Sequence, residues 1–102
     1  MKHIPAFVEA QNKTILVVGG GAMAARRAAM AQRAKAYVKV VSVRLSMEFE
    51  DLKEFKHMAR NFYPSDLDGV VLVFVSDDDK EVETYVSLEA KKRGVLGQLD
   101  LC

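Results

Sequence analysis

Three consecutive glycines, Gly19, Gly20 and Gly21, follow the apolar run from Ile15 to Val18 and lead into Ala22-Met23-Ala24-Ala25-Arg26-Arg27. Read as G-x-G-x-x-A, the residues that define the spacing are Gly19, Gly21 and Ala24. A strand, a glycine turn and a helix in that order place a dinucleotide pyrophosphate on the helix N-terminus. Gly19 permits the tight turn, Gly21 lets the backbone approach the phosphates with no Cβ in the way, and Ala24 lets the helix pack closely on the strand. Gly20, Ala22 and Met23 complete the candidate cofactor-binding turn, whose free N–H groups and positive dipole end attract an anion. The competing reading is a tight turn with a purely structural role.

Three other places carry residue types suited to chemistry. NAD-binding proteins often have an acidic residue for the ribose hydroxyls at the end of the second strand. Here that stretch is Val41-Ser42-Val43-Arg44, with no carboxylate. Ser42 could hydrogen-bond a ribose and Arg44 could meet a 2′-phosphate, with Val43 between them; a solvated arginine in a loop is the alternative. Next, Ser76-Asp77-Asp78-Asp79 follows an apolar strand at the sheet edge where ligands bind. Ser76 and Asp77 are candidate cofactor contacts, while Asp78 or Asp79 suits the N-cap of a helix. Three adjacent carboxylates could also attract a hard cation, but neighbouring side chains rarely converge without help from elsewhere. Finally, Asp100, at the end of the last strand, could act as a general base beside a nicotinamide. Spacing alone favours an exposed residue at a fraying terminus. His3 and His57 are too isolated to suggest a metal pair, no metal site is expected, and no phosphate-loop lysine follows the glycines.

The elements that must position these residues alternate between apolar runs and helical patterns, which argues for βαβ units and a parallel sheet. Strands are expected over 14–19, 37–43, 58–62, Val70–Val75 and 95–101, and helices over 22–34 and 80–93. Ser46 suits the N-cap of a short helix to about residue 56, in which Leu45, Phe49, Leu52 and Phe55 form an apolar stripe. Pro64-Ser65-Asp66 reads as a turn or a single helical turn. The unbroken apolar character of Val70–Val75 indicates burial on both faces, and Gly94 suits the C′ position of the second long helix. The expected fold is an α/β, Rossmann-like parallel sheet of about five strands in the order 3-2-1-4-5, with helices on both faces. The ligand crevice would then open at the carboxyl ends of strands one and four.

At 102 residues the chain makes one small domain, and 50% apolar residues can bury a modest core. Fifteen basic and 14 acidic side chains leave a formal charge of +1, which gives no electrostatic case for a nucleic-acid or acidic-membrane partner. The longest apolar run, Val70–Val75, is far too short to span a bilayer. Met1-Lys2-His3-Ile4-Pro5 does not read as a signal peptide, and the single cysteine, Cys102, excludes an internal disulfide framework and fits a reducing cytoplasm.

With these residues assembled, the chain resembles the N-terminal NAD-binding domain of the siroheme synthase family, the precorrin-2 dehydrogenase/sirohydrochlorin ferrochelatases. The resemblance begins at Ile4-Pro5-Ala6-Phe7 and is sharpest from Val17 to Arg27, which mirrors the family's V-V-G-G-G-x-V-A-x-R-K. It continues through Ser65-Asp66-Leu67-Asp68-Gly69, Asp77-Asp78-Asp79 and Leu101-Cys102. It implies dehydrogenation of the tetrapyrrole precorrin-2, with hydride passed to NAD (NADP remaining open), and in some members insertion of ferrous iron. It also implies that Asp100 is the catalytic residue, because the family credits an aspartate at the end of the last strand in an N-V-V-D-like context. Here the context is Gly97-Gln98-Leu99-Asp100, without the asparagine. The family's A-T-D-D is Val75-Ser76-Asp77-Asp78, and a usual glycine is replaced within Ala34-Lys35-Ala36. Family members continue into a dimerisation region and a helical domain. The expectation for this chain is therefore the dinucleotide half, from a homodimeric type of protein, with little of the substrate half. A non-catalytic dinucleotide-binding module, or a domain serving in assembly, are the readings from other classes.

Overall fold

The structure is a computed structural model that describes residues 10–97. Among these residues five strands form one sheet: β1 (Thr14–Val18), β2 (Tyr37–Val41), β3 (Lys56–Met58), β4 (Val70–Val75) and β5 (Leu96–Gly97). Their order is β3-β2-β1-β4-β5 and every pairing is parallel, as the alternation of apolar and helical segments requires. Among the described residues two α-helices, α1 (Ala22–Arg33) and α2 (Lys80–Lys92), make the β1–β2 and β4–β5 crossovers on opposite faces of the sheet.

β1 lies at the centre and is buried on both faces. Ile15 and Val17 point to one side, where Val38, Val40, Leu72 and Phe74 meet Ala24, Ala25, Ala28 and Ala31 of α1. Leu16 and Val18 point to the other, where Val41, Val73 and Val75 meet Val86 and Ala90 of α2 together with Phe62 and Leu67. The inner stripe of α1 is all alanine, so nothing longer than a methyl group separates its backbone from the sheet there. That closeness sets where the first turn of α1 sits relative to the end of β1.

Both helices end in the same hydrogen-bonded motif. Gly94 (φ +70°) donates to the Lys91 carbonyl and Val95 to that of Ala90, as expected for a C′ glycine. At the end of α1, Lys35 takes the left-handed position (φ +65°), donating to Gln32 while Ala36 donates to Ala31. The Lys35 carbonyl is then capped by the Asn12 amide at 3.0 Å. The tertiary bond holds a conformation that a non-glycine residue adopts only at a cost.

Two expectations need correction. The region 46–56 is not an α-helix but a short 3-10 helix, Met47–Asp51, and Ser46 makes no side-chain cap. The side chain of Gln32 explains the stop. Its Nε2 donates to the carbonyls of Lys53 and Glu54, and its Oε1 accepts from the Lys53 amide, drawing the chain out of helical geometry. The apolar stripe survives, with Phe49 buried and Leu45, Leu52 and Phe55 packed on the α1 core. β3 accordingly begins earlier than the expected 58–62 and stops at Met58. Beyond it, Arg60 leaves the strand to meet Asp66. In the last strand only Leu96–Gly97 is described; Asp100 lies outside the described residues.

Asp66 is buried, at 4% exposure, at the start of the segment that feeds β4. Arg60 grips both carboxylate oxygens, at 2.9 and 2.6 Å, and the Tyr63 amide donates to Oδ2 at 2.8 Å. Lys39 of β2 donates to the Asp66 carbonyl at 3.0 Å, tying this loop to the sheet. Burial pushes the Asp66 carboxyl up, but the Arg60 and Tyr63 hydrogen bonds and the charges of Arg60 and Lys39 outweigh it and hold it below the ordinary value. A carboxyl depressed in the folded state stabilises the fold above its unfolded pKa, and that contribution is lost as pH falls through the lower folded value. Asp66→Ala should lower stability by about 2 kcal/mol at neutral pH by leaving the Tyr63 amide and Arg60 without their acceptor. The deficit relative to wild type should shrink in denaturant titrations run below about pH 4.

Candidate functional site: a glycine turn at the carboxyl edge of the sheet

The end of β1 is wedged between two other chain segments. The Gly19 amide donates to the Val41 carbonyl at 3.0 Å, and the Ser76 amide donates to the Val18 carbonyl at 2.9 Å. These bonds carry the ladder one step beyond the strands on both sides. Gly19 has φ +132°, and a Cβ there would overlap the Ser76 carbonyl. At Gly20 a Cβ would overlap the Arg44 carbonyl and Ser42 Oγ, and the Gly20 carbonyl accepts from the Ser46 amide at 2.7 Å. Gly21 differs: a Cβ built on it meets nothing within 4 Å. Protein packing therefore accounts for the first two glycines, and the third faces open space.

Gly21 is also the N-cap of α1, with extended backbone and no capping side chain. The first helical bond runs from the Ala25 amide to the Gly21 carbonyl at 3.0 Å. The amides of Ala22, Met23 and Ala24 precede it and have no acceptor within the helix. The first turn holds no acidic residue, so the positive end of the helix is not neutralised by its own side chains.

These groups open onto a cleft of about 320 Å³ lined by Gly19, Gly20, Gly21, Ala22 and Met23 on one side and Ser76, Asp77 and Asp78 on the other. Ser76 Oγ is buried there without a hydrogen-bond partner. In the acidic run the roles divide. Asp79 caps α2 by accepting from the Glu81 amide at 2.9 Å, and Asp77 Oδ1 accepts from the Asp79 amide at 2.9 Å. Asp78, which the sequence offered as an alternative cap, lines the cleft instead.

The structure thus brings Gly19, Gly20, Gly21, Ala22, Met23, Ser76 and Asp77 to one cleft. Ala24 is wholly buried and acts through close helix packing. Ser42, Val43 and Arg44 lie outside the lining and flank the turn on the β2 side. The Ser42 hydroxyl donates to the Arg44 carbonyl at 2.6 Å, while Val43 and the Arg44 side chain are exposed. The part played by Gly20 was not visible in the sequence, because its partner is the backbone of a distant loop. Among the described residues, no three His, Cys, Asp or Glu side chains gather as a metal site, and no helix is long and apolar enough to cross a membrane.

The donor set fits a dinucleotide pyrophosphate: unpaired helix-terminal amides, an unneutralised dipole, and a glycine whose missing Cβ leaves the space open. Comparison with known proteins gives the same class. Residues 6–99 match the family model described as "Putative NAD(P)-binding". Over 100% of its length the chain is 36% identical to the siroheme synthase of Nitrosomonas eutropha, and over 93% it is 40% identical to that of Methylobacillus flagellatus. It spans 23% and 21% of those two proteins. Among solved structures, SirC, a precorrin-2 dehydrogenase, superposes with a TM-score of 0.72 at 25% identity, over 79% of this chain and 42% of the other. With the glycine turn, the strand order and a family match over almost its whole length, the chain belongs to the NAD(P)-binding family and has the dinucleotide-binding fold found in siroheme synthases and precorrin-2 dehydrogenase.

Proposed function

We propose that this chain is the dinucleotide half of a precorrin-2 dehydrogenase-type protein of siroheme biosynthesis. The observation that carries the reading is the contrast among the glycines. Gly19 and Gly20 are explained by the protein, whereas Gly21 and the amides beside it face empty space suited to a pyrophosphate. In this reading the amides of residues 21–24 hold the phosphates. Ser76, with its unpartnered hydroxyl, and the carboxylates of Asp77 and Asp78 meet the hydroxyls of the ribose on the β4 side. Bound NAD(P) supplies the hydride acceptor for oxidation of the macrocycle. The proton released goes to a general base, a role the family resemblance gives to Asp100. The single domain would act with a dimerisation and substrate region of the kind the family resemblance implies, as a cytoplasmic homodimer that takes a tetrapyrrole. Sirohydrochlorin metallation is a further step of the same family.

Two substitutions separate ligand contact from fold. Gly20→Ala should destabilise the protein by about 2–4 kcal/mol, because backbone rather than a mobile side chain stands in the way. Gly21→Val should keep the melting temperature within a few degrees and still abolish NAD(P) binding in calorimetric titration. Retained affinity in Gly21→Val would remove the pyrophosphate from this turn.

For the catalytic assignment, precorrin-2 oxidation by wild type and Asp100→Ala should differ at least ~100-fold in rate, the typical worth of a positioned general base. Equal rates would take Asp100 out of the mechanism. Dinucleotide binding with no oxidation in the wild type would instead favour a non-catalytic dinucleotide-binding module.

A further inference from the structure

The sheet has a second concavity, at the end opposite the glycine turn. A cavity of about 590 Å³ opens at the amino ends of β2 and β3, with Gln32, Tyr37, Val38, Lys53, Phe55 and Lys56 in its lining. Small-molecule sites typically enclose roughly 300–1,000 Å³. The apolar part of the lining comes from Val38, which is buried, and from Phe55, whose ring is held 5.6 Å from that of Phe49. Tyr37 is 62% exposed, so much of its ring remains available for contact. One wall is fixed by a single side chain at the end of α1. Gln32 Nε2 donates to the carbonyls of Lys53 and Glu54 at 3.0 and 3.2 Å, and its Oε1 accepts from the Lys53 amide at 3.1 Å. The backbone of that wall is therefore held while the Lys53 side chain stays free.

Charge in the lining is one-sided: Lys39, Lys53 and Lys56 against a single carboxylate, Glu54. Lys39 is committed, because its ammonium donates to the Asp66 carbonyl at 3.0 Å. Lys53 and Lys56 are exposed, and among the described residues neither has a carboxylate within ion-pair distance. Basic residues at this edge are partly a matter of helix ends. The negative end of α1 lies here, and Arg33 in its last turn offsets it. Lys53 and Lys56 stand beyond the helix and do not serve that purpose. They place two unpaired ammonium groups at the rim of a cavity whose floor is aromatic and aliphatic.

We propose that this cavity is a second ligand site, which takes an organic anion with a flat aromatic body. Phe55 and Tyr37 cover the body, and Lys53 and Lys56 meet the acidic group. Because Gln32 has already fixed the wall, only the two lysine side chains and Tyr37 lose freedom when the ligand binds. The 12 residues of α1 separate this site from the glycine turn by about 18 Å, so both can be filled at once. The site stands whether or not a dinucleotide binds at the glycine turn.

Anilinonaphthalenesulfonate, an aromatic anion that fluoresces when shielded from water, is the probe. It is titrated into the full chain while amide chemical shifts are followed. One molecule should bind per chain and move the amides of residues 32, 36–39 and 53–56, with no loss of affinity in saturating NAD+. Uncharged phenylnaphthylamine should bind about tenfold more weakly. The double variant Lys53→Gln/Lys56→Gln should weaken the anion by the same factor, about threefold for each exposed ion pair. Its melting temperature should not change, because neither ammonium has a partner within the protein. An affinity that survives the double variant, or equal binding of the uncharged probe, would overturn the proposal. So would shifts confined to residues 19–23 and 76–78 with displacement by NAD+, or no binding below about a millimolar.

Discussion

Everything at the functional edge depends on one steric constraint: three lengths of backbone meet at the end of β1 with no room for side chains between them. The carbonyl of Ser76 occupies the space a Cβ on Gly19 would need, and the carbonyl of Arg44 does the same at Gly20. Amide-to-carbonyl bonds from Gly19 to Val41, Ser46 to Gly20 and Ser76 to Val18 close the junction. Because these contacts are main chain to main chain, they cannot relax by choosing another rotamer. The start of α1, the acidic loop after β4 and the polar loop after β2 are consequently held at fixed distances from one another. That is the condition for recognising a rigid diphosphate.

The same economy of side chains continues below the turn. Ala24, Ala25, Ala28 and Ala31 form the buried stripe of α1, so the helix axis runs close over Ile15 and Val17 and its first amides arrive level with the sheet edge. The opposite face is packed by larger groups, Val86, Phe62 and Leu67 against Leu16, Val73 and Val75. The face that carries the open N-terminal end of α1 is the thin one. Arg27 marks the border, its guanidinium 5.5 Å from the centre of the Phe74 ring beneath the helix.

Local patterns carried the fold and long-range contacts did not show in them. The apolar runs of β1 and β4, the glycine turn, the Gly94 cap and a cap at Asp78 or Asp79 each depend on neighbours within a few residues, and all are legible in the sequence; the structure selects Asp79. The 46–56 segment misled because an apolar stripe at three-to-four spacing is satisfied equally by a 3-10 turn followed by extended chain. What decided between them was Gln32, on another element. Sequence pattern puts Arg60 within a strand over 58–62 and Asp66 in a turn, and gives no sign of their pairing, which ends β3 and anchors the entry to β4. At the candidate site, the residue types were legible from motif spacing. The locking of Arg44 against Gly20 was not, because carbonyl contacts between distant loops leave no mark on either residue's chemistry.

An all-parallel sheet with β1 in the middle has a thermodynamic corollary for the cleft. Its walls come from residues 19–23 and 76–78, with the loop 42–46 packed behind the glycine turn, and no two of these segments are joined by a hairpin; each is brought beside the others only when a crossover has folded. A partly folded chain therefore has no half-formed version of the site to offer a ligand. Any nucleotide bound there is linked to the whole folding equilibrium, and at a concentration a hundred times its Kd would add about 2.7 kcal/mol to global stability. Free dinucleotide would therefore raise the fraction of chains that stay folded.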